Sequence, residues 1–231
     1  MRSDQIGEIH EMLEIEAERL SEIILSQTDI SPLLNLGSST LLFRQHAQPH
    51  IERCLFGPLQ RADVKVVHCD LKVGDGIDVS GDVLDPVLAG ALKRRGFRCI
   101  LVANLLEHVR DRQAVANACE DIVGSGGLIL ATAPRSYPYH ADPIDKLYRP
   151  TPDDLADLFK RSQPVLAEEL VGPTYAEEMS AREGNMRREL SVTVSSLLMA
   201  WLYPRGFISR AHRWLWLRRP YRVSIAMMVV S

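Results

Sequence analysis

The sequence predicts an α/β fold with a mostly parallel β-sheet and helices on both faces. Short apolar runs typical of strands alternate along the chain with segments whose apolar residues recur at helical spacing. Several strand-like runs are continuously apolar, such as those within 97–109 and 128–134. Continuous apolar runs are typical of strands buried on both faces, and alternation with helices favours parallel strands joined by crossover helices.

The N-terminal part is predicted to contain a long helix, a short strand and a second helix. The first helix covers 4–27, because its isoleucines and leucines recur at helical spacing. Ser31-Pro32 ends that region, Leu33–Leu36 is a short apolar strand, and 37–48 is a loop. A further helix starts at Pro49, since proline is favoured at the first helical position.

The middle of the chain is predicted to supply three more strands. Residues 64–70 and 76–82 are the second and third strands, and each ends in an aspartate. A helix over 85–96 has proline near its start and glycine at its end. Residues 97–109 form a buried strand followed by a turn, and 111–123 form a helix.

The C-terminal part is predicted to complete the sheet. Residues 128–134 are another buried strand, and 151–162 form a helix that opens with threonine, proline and two aspartates. A sixth strand covers 164–172. Residues 176–203 are mainly helical, and 223–231 form the final strand.

Composition limits the class of protein. The chain of 231 residues suits one domain, with 46% hydrophobic and 25% charged residues. No stretch approaches the ~20 apolar residues of a membrane span. The acidic N-terminus lacks the apolar core of a signal peptide, and the four cysteines form no CxxC pair. We therefore expect a cytoplasmic protein without a metal site.

Polar residues follow four of the predicted strands. They are the turn Gly37-Ser38-Ser39-Thr40, then Asp70, Asp82 and Asn104. In open parallel sheets the ligand lies beyond the carboxyl ends of the strands. A carboxylate there can accept hydrogen bonds from ribose hydroxyls, a second can contact the adenine edge, and backbone N–H groups of a tight turn can approach a ligand. The alternative is that each aspartate serves only as a turn or cap residue.

The order of the motifs is specific. "LLNLGSST" is followed by "VVHCD", "VSGDVLD", "FRCILVANLLEHV" and "IVGSGGLILATAP". Over about 30–135, this order resembles the class I S-adenosylmethionine-dependent methyltransferases, of the type 11-like group. The resemblance implies a Rossmann-like seven-stranded methyltransferase fold with an antiparallel last strand, and S-adenosylmethionine as cofactor.

The resemblance also implies which residues bind the cofactor. Matching positions are Asn35, Gly37, Ser38, Ser39, Asp70, Leu71, Asp82, Val83 and Asn104. Two of these positions depart from the family pattern. The first motif lacks the usual GxGxG, and Asn35 replaces the acid commonly found on the first strand. An amide can accept a hydrogen bond but carries no charge.

The acceptor is expected above the ends of the fourth and fifth strands. The predicted substrate-binding residues there are Glu107, His108, Arg135, Tyr137, Tyr139 and Tyr148. His140 with Asp142 is predicted as a general base and its orienter, which would deprotonate an acceptor hydroxyl. The alternatives are that His140 and Asp142 satisfy loop backbone groups, and that Glu107-His108 serves packing.

A basic, aromatic segment is predicted as a helical insertion over 176–222 before the last strand. The rest of the single domain 1–231 includes an N-terminal helical region, 1–30. Nine arginines against two glutamates give 182–222 a net charge of +7, so the remainder is acidic. The segment could pack on the core, contact an anionic membrane surface peripherally through 205–222, or bind an anionic acceptor. Nucleic acid is not expected as a partner.

The predicted function is methyl transfer from S-adenosylmethionine to a small-molecule or saccharide acceptor, at an oxygen atom. Sulfonium chemistry needs mainly positioning and acceptor deprotonation, so the lack of a catalytic triad is no objection. The alternative is a non-catalytic methyltransferase-like binding or scaffold protein, which the missing glycines and Asn35 favour. A nicotinamide or nucleotide-sugar enzyme is disfavoured, because GxGxxG is absent.

Overall fold

The computed structural model describes residues 12–139, 145–181, 194, 212 and 214–231. Within this part of the chain, seven strands form one sheet. They are β1 Leu33–Leu36, β2 Val66–Asp70, β3 Val79–Ser80, β4 Cys99–Ala103, β5 Leu128–Ser136, β6 Ser162–Thr174 and β7 Pro220–Val230. The spatial order is β3-β2-β1-β4-β5-β7-β6. Strand β7 is antiparallel to both neighbours, and the adjacent strands among β1 to β5 are all parallel. The predicted sheet is confirmed.

The helices lie between the strands in sequence. They are α1 Glu14–Leu25, α2 Gly57–Arg61, α3 Pro86–Lys93, α4 Arg112–Val123, α5 Pro152–Ala156 and α6 Tyr175–Ala181. Two π-helical turns, Phe43–Ala47 and Ile51–Phe56, precede α2, and a 3₁₀ turn covers Trp214–Trp216. The helix starts use local chemistry: the carboxylates of Asp85 and Asp111 accept hydrogen bonds from the first turns of α3 and α4.

Apolar side chains form two cores, one on each face of the sheet. One core combines Leu34 of β1 and Ile100 of β4 with residues of α3, α4 and α5. The other combines Leu33 and Leu101, their neighbours in sequence, with residues of α1, α2 and the second π-helical turn. Successive residues of a strand point to opposite faces, so a continuously apolar strand serves both cores. Helices on both faces are therefore confirmed.

Several predicted boundaries are wrong, for identifiable reasons. The third strand is two residues long instead of 76–82, because Gly76 has a left-handed backbone (φ 74°) and the side chain of Asp78 accepts the His68 N–H. The predicted loop 37–48 contains the π-helical turn Phe43–Ala47.

The helix predicted over 151–162 ends at Ala156, and β6 begins at Ser162. The buried Glu120 of α4 causes this change of direction. Its carboxylate accepts hydrogen bonds from the Arg161 N–H (2.7 Å) and the Ser162 hydroxyl (2.8 Å). The chain is therefore held to α4 at the point where the strand begins.

The ends of the predicted insertion 176–222 can be described, and its middle lies outside the described residues. Helix α6 is its start, and its last residues belong to β7. Trp214 meets Tyr175 edge-on, and Trp216 Nε1 donates a hydrogen bond to Ser136 Oγ at 3.2 Å. These two tryptophans pack on the domain. Contact of 205–222 with a membrane stays a prediction. Among the residues described, no helix combines the length and apolar character that a membrane crossing requires.

Candidate active site

The parallel register brings the polar strand ends to one edge of the sheet. Leu36, the last residue of β1, is aligned with Cys69 of β2 and Val102 of β4, each one residue before its strand ends. The last residue of β2, Asp70, pairs with Ser80 of β3. The polar groups at four adjacent strand ends therefore lie at the same edge, as the sequence predicts. They are residues 37–40 after β1, called the first turn below, Asp70 at the end of β2, Asp82 after β3 and Asn104 after β4.

The turn after β1 is tight although it contains one glycine. Gly37 has φ 77°, and a β-carbon there would lie 3.0 Å from the Leu105 side chain. Ser39 adopts φ 51°, a left-handed conformation that is uncommon for a residue other than glycine. The Ser39 N–H donates to Asp70 Oδ2 at 2.7 Å. The turn is thus attached to the end of β2 by the Asp70 carboxylate.

A buried arginine stabilises this turn. Arg44, 2% exposed, donates from Nη1 to the carbonyls of Ser38 (3.1 Å) and Ser39 (2.8 Å). Its Nη2 donates to the Gly76 carbonyl at 3.0 Å, and its Nε pairs with Glu52 at 2.8 Å. One guanidinium therefore connects the first turn to the segment before β3. Sequence reasoning missed Arg44, because it lies in a stretch predicted as loop and belongs to no motif.

A cavity of about 50 Å³ lies against the turn. Its polar lining comes from Asn35, Ser38, Ser39, Arg44 and Asn104, and its apolar lining includes Met12, Phe43 and Phe56. This volume is roughly that of a few water molecules, so it fits only one end of a nucleoside-sized ligand. The rest of such a ligand would have to lie along the more open ends of β2 and β3.

Asn35 is oriented by a histidine. Its Nδ2 lies 3.1 Å from His68 Nδ1 across the β1–β2 pair. Burial, with a contribution from the positive charge of Arg44, lowers the pKa of His68 to about 4. His68 is therefore neutral near pH 7, and its Nδ1 can accept the hydrogen bond from the amide. This orientation assigns the amide nitrogen to His68, and Asn35 is also one of the residues that line the cavity.

The two candidate nucleotide-binding aspartates both make turn hydrogen bonds. Asp70 Oδ1 accepts from the Lys72 N–H at 2.9 Å, and Asp82 Oδ1 accepts from the Leu84 N–H at 2.9 Å. Each carboxylate has about four acceptor positions, so a ligand hydroxyl can still bind. Leu71 is exposed beside Asp70, and Val83 is buried beside Asp82.

Asn104 connects the cavity to a buried carboxyl on α1. Asn104 has a left-handed backbone (φ 49°), and its Nδ2 donates to Glu16 Oε1 at 2.9 Å. The Thr132 hydroxyl of β5 donates to the same oxygen at 2.7 Å, and the Leu13 N–H donates to Glu16 Oε2 at 3.3 Å. Glu16 is fully buried. Burial raises its pKa to about 7, against the lowering effect of these three donors.

A second buried carboxyl, Glu107, lies close to the first. It is 1% exposed, and its Oε2 has no hydrogen-bond partner among the described residues. Burial raises its pKa to about 8, and the nearby carboxylates of Glu16 and Asp145 add to that rise while Arg149 opposes it. His108 Nε2 lies 3.9 Å from Glu107 Oε1, which is beyond hydrogen-bond distance.

The other predicted substrate residues make separate contacts at the end of β5 and after it. The Arg135 side chain donates to the Arg149 carbonyl at 2.8 Å, and Arg149 forms a two-hydrogen-bond ion pair with Asp145. The Tyr148 ring lies under the Arg112 guanidinium at 4.4 Å. Tyr137 packs on Tyr221, with ring centroids 4.8 Å apart, and Tyr139 is 37% exposed. His140 and Asp142 lie outside the described residues.

Glu16 and Thr132 were also missed by sequence reasoning. Glu16 lies in an acidic helix where a glutamate ordinarily faces water, and Thr132 lies inside an apolar strand. The signal available was the polar residue within the otherwise apolar run "LILATAP", which requires a buried partner. That signal gives no indication of where along the chain the partner lies.

Comparison with known proteins identifies the fold. No protein-family model matches the chain, and no curated protein sequence matches it. Its structure is similar to a SAM-dependent methyltransferase from Archaeoglobus fulgidus, with a TM-score of 0.53, 11% identity and 93% of each chain covered. It is also similar to coclaurine N-methyltransferase bound to N-methylheliamine and SAH, with a TM-score of 0.56, 14% identity, and coverage of 94% of this chain and 70% of that one. These likenesses confirm the class I methyltransferase fold.

The raised pKa values of Glu16 and Glu107 predict a pH-dependent stability. Both folded values lie above the ordinary 4.5, so the folded protein holds more protons than the unfolded chain between about pH 4.5 and 8. The free energy of unfolding contributed by these groups therefore falls as pH rises through that window. Urea unfolding at pH 5, 6, 7 and 8 should show a smaller fall in Glu107→Gln than in the wild type.

Comparing the wild type with Glu107→Gln isolates the contribution of the Glu107 carboxyl to the pH dependence of stability. The lowered pKa of His68 makes stability rise with pH between about pH 4 and 6.5, and this contribution is present in both proteins. Parallel pH profiles of the wild type and Glu107→Gln would show that the buried carboxyl does not titrate in this window.

The contacts of Arg44 predict a large loss of stability in Arg44→Met. The change leaves Glu52 and three carbonyls without their guanidinium, and removing one partner of a buried ion pair costs ~3–5 kcal/mol. Arg98→Met, which removes a more exposed pair with Asp29, should cost about 0–1 kcal/mol. Urea unfolding of both variants measures the difference, and equal losses would show that Arg44 does not stabilise the turn.

Proposed function

We propose that this protein is an S-adenosylmethionine-dependent methyltransferase that acts on a small-molecule acceptor. The observation that carries the proposal is the convergence of the first turn, Asp70, Asp82 and Asn104 at the carboxyl edge of a sheet with the order β3-β2-β1-β4-β5-β7-β6. In open α/β sheets this edge is where ligands bind. The methyltransferase fold gives the ligand its expected identity.

The residues present suit the parts of the cofactor. Asp70 has free acceptor capacity for ribose hydroxyls, and Leu71 beside it is exposed and apolar. Asp82 and Val83 follow β3 and would contact the adenine. The cavity beside Asn35 and the first turn offers amide, hydroxyl and guanidinium groups to the amino-acid end. When bound, the cofactor supplies an electrophilic methyl group on a sulfonium.

The chain's own contribution is positioning. Arg44 and Asp70 hold the first turn in one conformation, and Asn104 is fixed by its hydrogen bond to Glu16. Groups held in place before the ligand arrives lower the entropic cost of orienting two reactants. The aromatic and arginine residues after β5 would surround the acceptor.

The proposed methyl acceptor is a small organic molecule. The structure of coclaurine N-methyltransferase bound to N-methylheliamine and SAH supports a small organic acceptor. The sequence-based hypothesis was an oxygen of a small molecule or a saccharide, with His140 as base and Asp142 as its orienter. Both residues lie outside the described part of the chain, so that hypothesis stays a prediction.

A second candidate function is a methyltransferase-like binding or scaffold protein without turnover. The bond from the Ser39 N–H to Asp70 and the cavity of only about 50 Å³ favour it, because both leave less room at the cofactor edge. The two functions differ in whether they require cofactor binding: a methyltransferase must bind S-adenosylmethionine, whereas a scaffold protein need not.

Titration calorimetry with S-adenosylmethionine and S-adenosylhomocysteine tests the proposal. A methyltransferase should bind both, and Asp70→Ala should weaken binding by roughly tenfold or more, since hydrogen bonds to a charged group contribute about 1.5–3 kcal/mol. Asp111→Ala is the matched control, because that carboxylate only caps α4. An absence of binding at millimolar cofactor would reject the enzyme. Equal losses in the two variants would reject the ribose assignment.

A further inference from the structure

We propose that the methyl acceptor is a small amine, which binds as an ammonium ion at Glu107 beside Glu16. This inference rests on the proposed methyltransferase function and specifies its acceptor. It differs from the oxygen acceptor predicted from the sequence and is based on residues that the structure describes.

Among the described residues, buried carboxyl groups outnumber the guanidinium groups around Glu107. Three buried carboxyls, those of Glu16, Glu107 and Asp145, share this region with the guanidinium of Arg149. Arg149 is occupied by Asp145, to which it donates from both Nη atoms. Arg149 still acts on Glu107 electrostatically, and His108 Nε2 lies 3.9 Å from Glu107 Oε1, but no described Lys or Arg side chain forms an ion pair with Glu16 or Glu107. Within the described part of the chain, neither Glu16 nor Glu107 therefore has a Lys or Arg side chain of its own as an ion-pair partner.

The Glu107 carboxyl has unused hydrogen-bonding capacity. Glu16 accepts three hydrogen bonds, from Asn104, Thr132 and Leu13, so it is satisfied and fixed. Glu107 Oε2 is buried and has no partner among the described residues. Buried polar atoms are normally paired, and an unpaired one in a native structure calls for an explanation such as a ligand. A donor that enters this site finds its acceptor at Glu107.

Glu16 and Glu107 are connected to the cavity through Asn104. Glu107 lies three residues after Asn104, which lines the cavity at the end of β4 and contacts Glu16. The acidic pair is thus linked through one side chain to the cavity assigned to the cofactor's amino-acid end. An ammonium brings charge and several N–H donors to two carboxyls, whereas an alcohol brings one O–H and no charge. Charge-assisted hydrogen bonds are about twice as strong as neutral ones.

Glu107 also suits the proton transfer that an amine requires. The ammonium would give its proton to the Glu107 carboxylate, which would free the nitrogen lone pair to form the new N–C bond. A bound sulfonium cofactor would supply the methyl group, and its sulfur would keep the electron pair of the broken C–S bond. A neutral amine and a sulfonium become a methylammonium and a thioether, so charge is conserved. Burial raises the pKa of Glu107 to about 8, which makes its carboxylate a stronger base than an exposed one.

The test is a carboxyl ¹³C NMR titration of the protein saturated with S-adenosylhomocysteine. The probes are ethylammonium chloride, ethanol and potassium chloride, the first two with the same carbon skeleton. Ethylammonium should shift the Glu107 and Glu16 signals saturably and lower the pKa of Glu107, whereas ethanol and potassium should not. Equal effects of ethylammonium and potassium, or no saturable effect, would overturn the inference.

A pair of variants locates the binding. Glu107→Gln should weaken ethylammonium binding by roughly tenfold or more, because the amide offers no charge. Glu120→Gln makes the same change at another buried glutamate, which pairs with Arg161, and should bind as the wild type does. Equal weakening in both variants would contradict the assignment. If Glu107→Gln does not fold, the wild-type comparison of ethylammonium with ethanol decides alone.

Failure of this inference can be distinguished from failure of the proposed function. Calorimetry that shows no affinity for S-adenosylmethionine or S-adenosylhomocysteine rejects the function. A protein that binds both cofactor forms but shows no preference for ethylammonium over ethanol remains a methyltransferase, and the amine acceptor alone is rejected.

Discussion

The guanidinium of Arg44 is the interaction on which the candidate site most depends. A turn with several glycines can adopt left-handed conformations without steric cost, but this turn has one glycine and must hold Ser39 at φ 51°. Such a conformation persists only when its surroundings stabilise it. Arg44 binds the carbonyls of Ser38 and Ser39 from one side, and Asp70 binds the Ser39 N–H from the other. The shortage of glycine is thus compensated by specific hydrogen bonds.

The sequence predicted the sheet well because its evidence was local and periodic. The continuous apolar runs of β4 and β5 and the polar residue after each strand can be read without the fold. Boundaries set by distant contacts could not be read. The start of β6 at Ser162 depends on Glu120, 42 residues away, and the short β3 depends on the Gly76 conformation and on Asp78.

The residues of the candidate site also divide into those that the sequence predicts and those that depend on distant contacts. Asp70, Asp82 and Asn104 were predictable because each follows a strand, and the parallel register brings strand ends together. Glu16 and Arg44 were not, since each acts through contacts with segments far along the chain. The hydrogen bond from Thr132 to Glu16 spans 116 residues. A glutamate on an acidic helix gives no sign in the sequence that it will be buried.

Arg44 and Glu16 give the cavity two electrostatically different sides. Arg44 contacts the turn after β1, whereas Asn104, directly after β4, donates a hydrogen bond to Glu16, which lies near Glu107. Under the proposed function, the first side would favour the carboxylate of the cofactor's amino-acid end, and the second side would favour its sulfonium or an ammonium acceptor. Bringing two cations together for methyl transfer is unfavourable in a region of low polarity, and nearby carboxylates offset that repulsion. Burial raises the pKa of Glu107, and in the proposed reaction this would help its carboxylate to accept the proton of the amine.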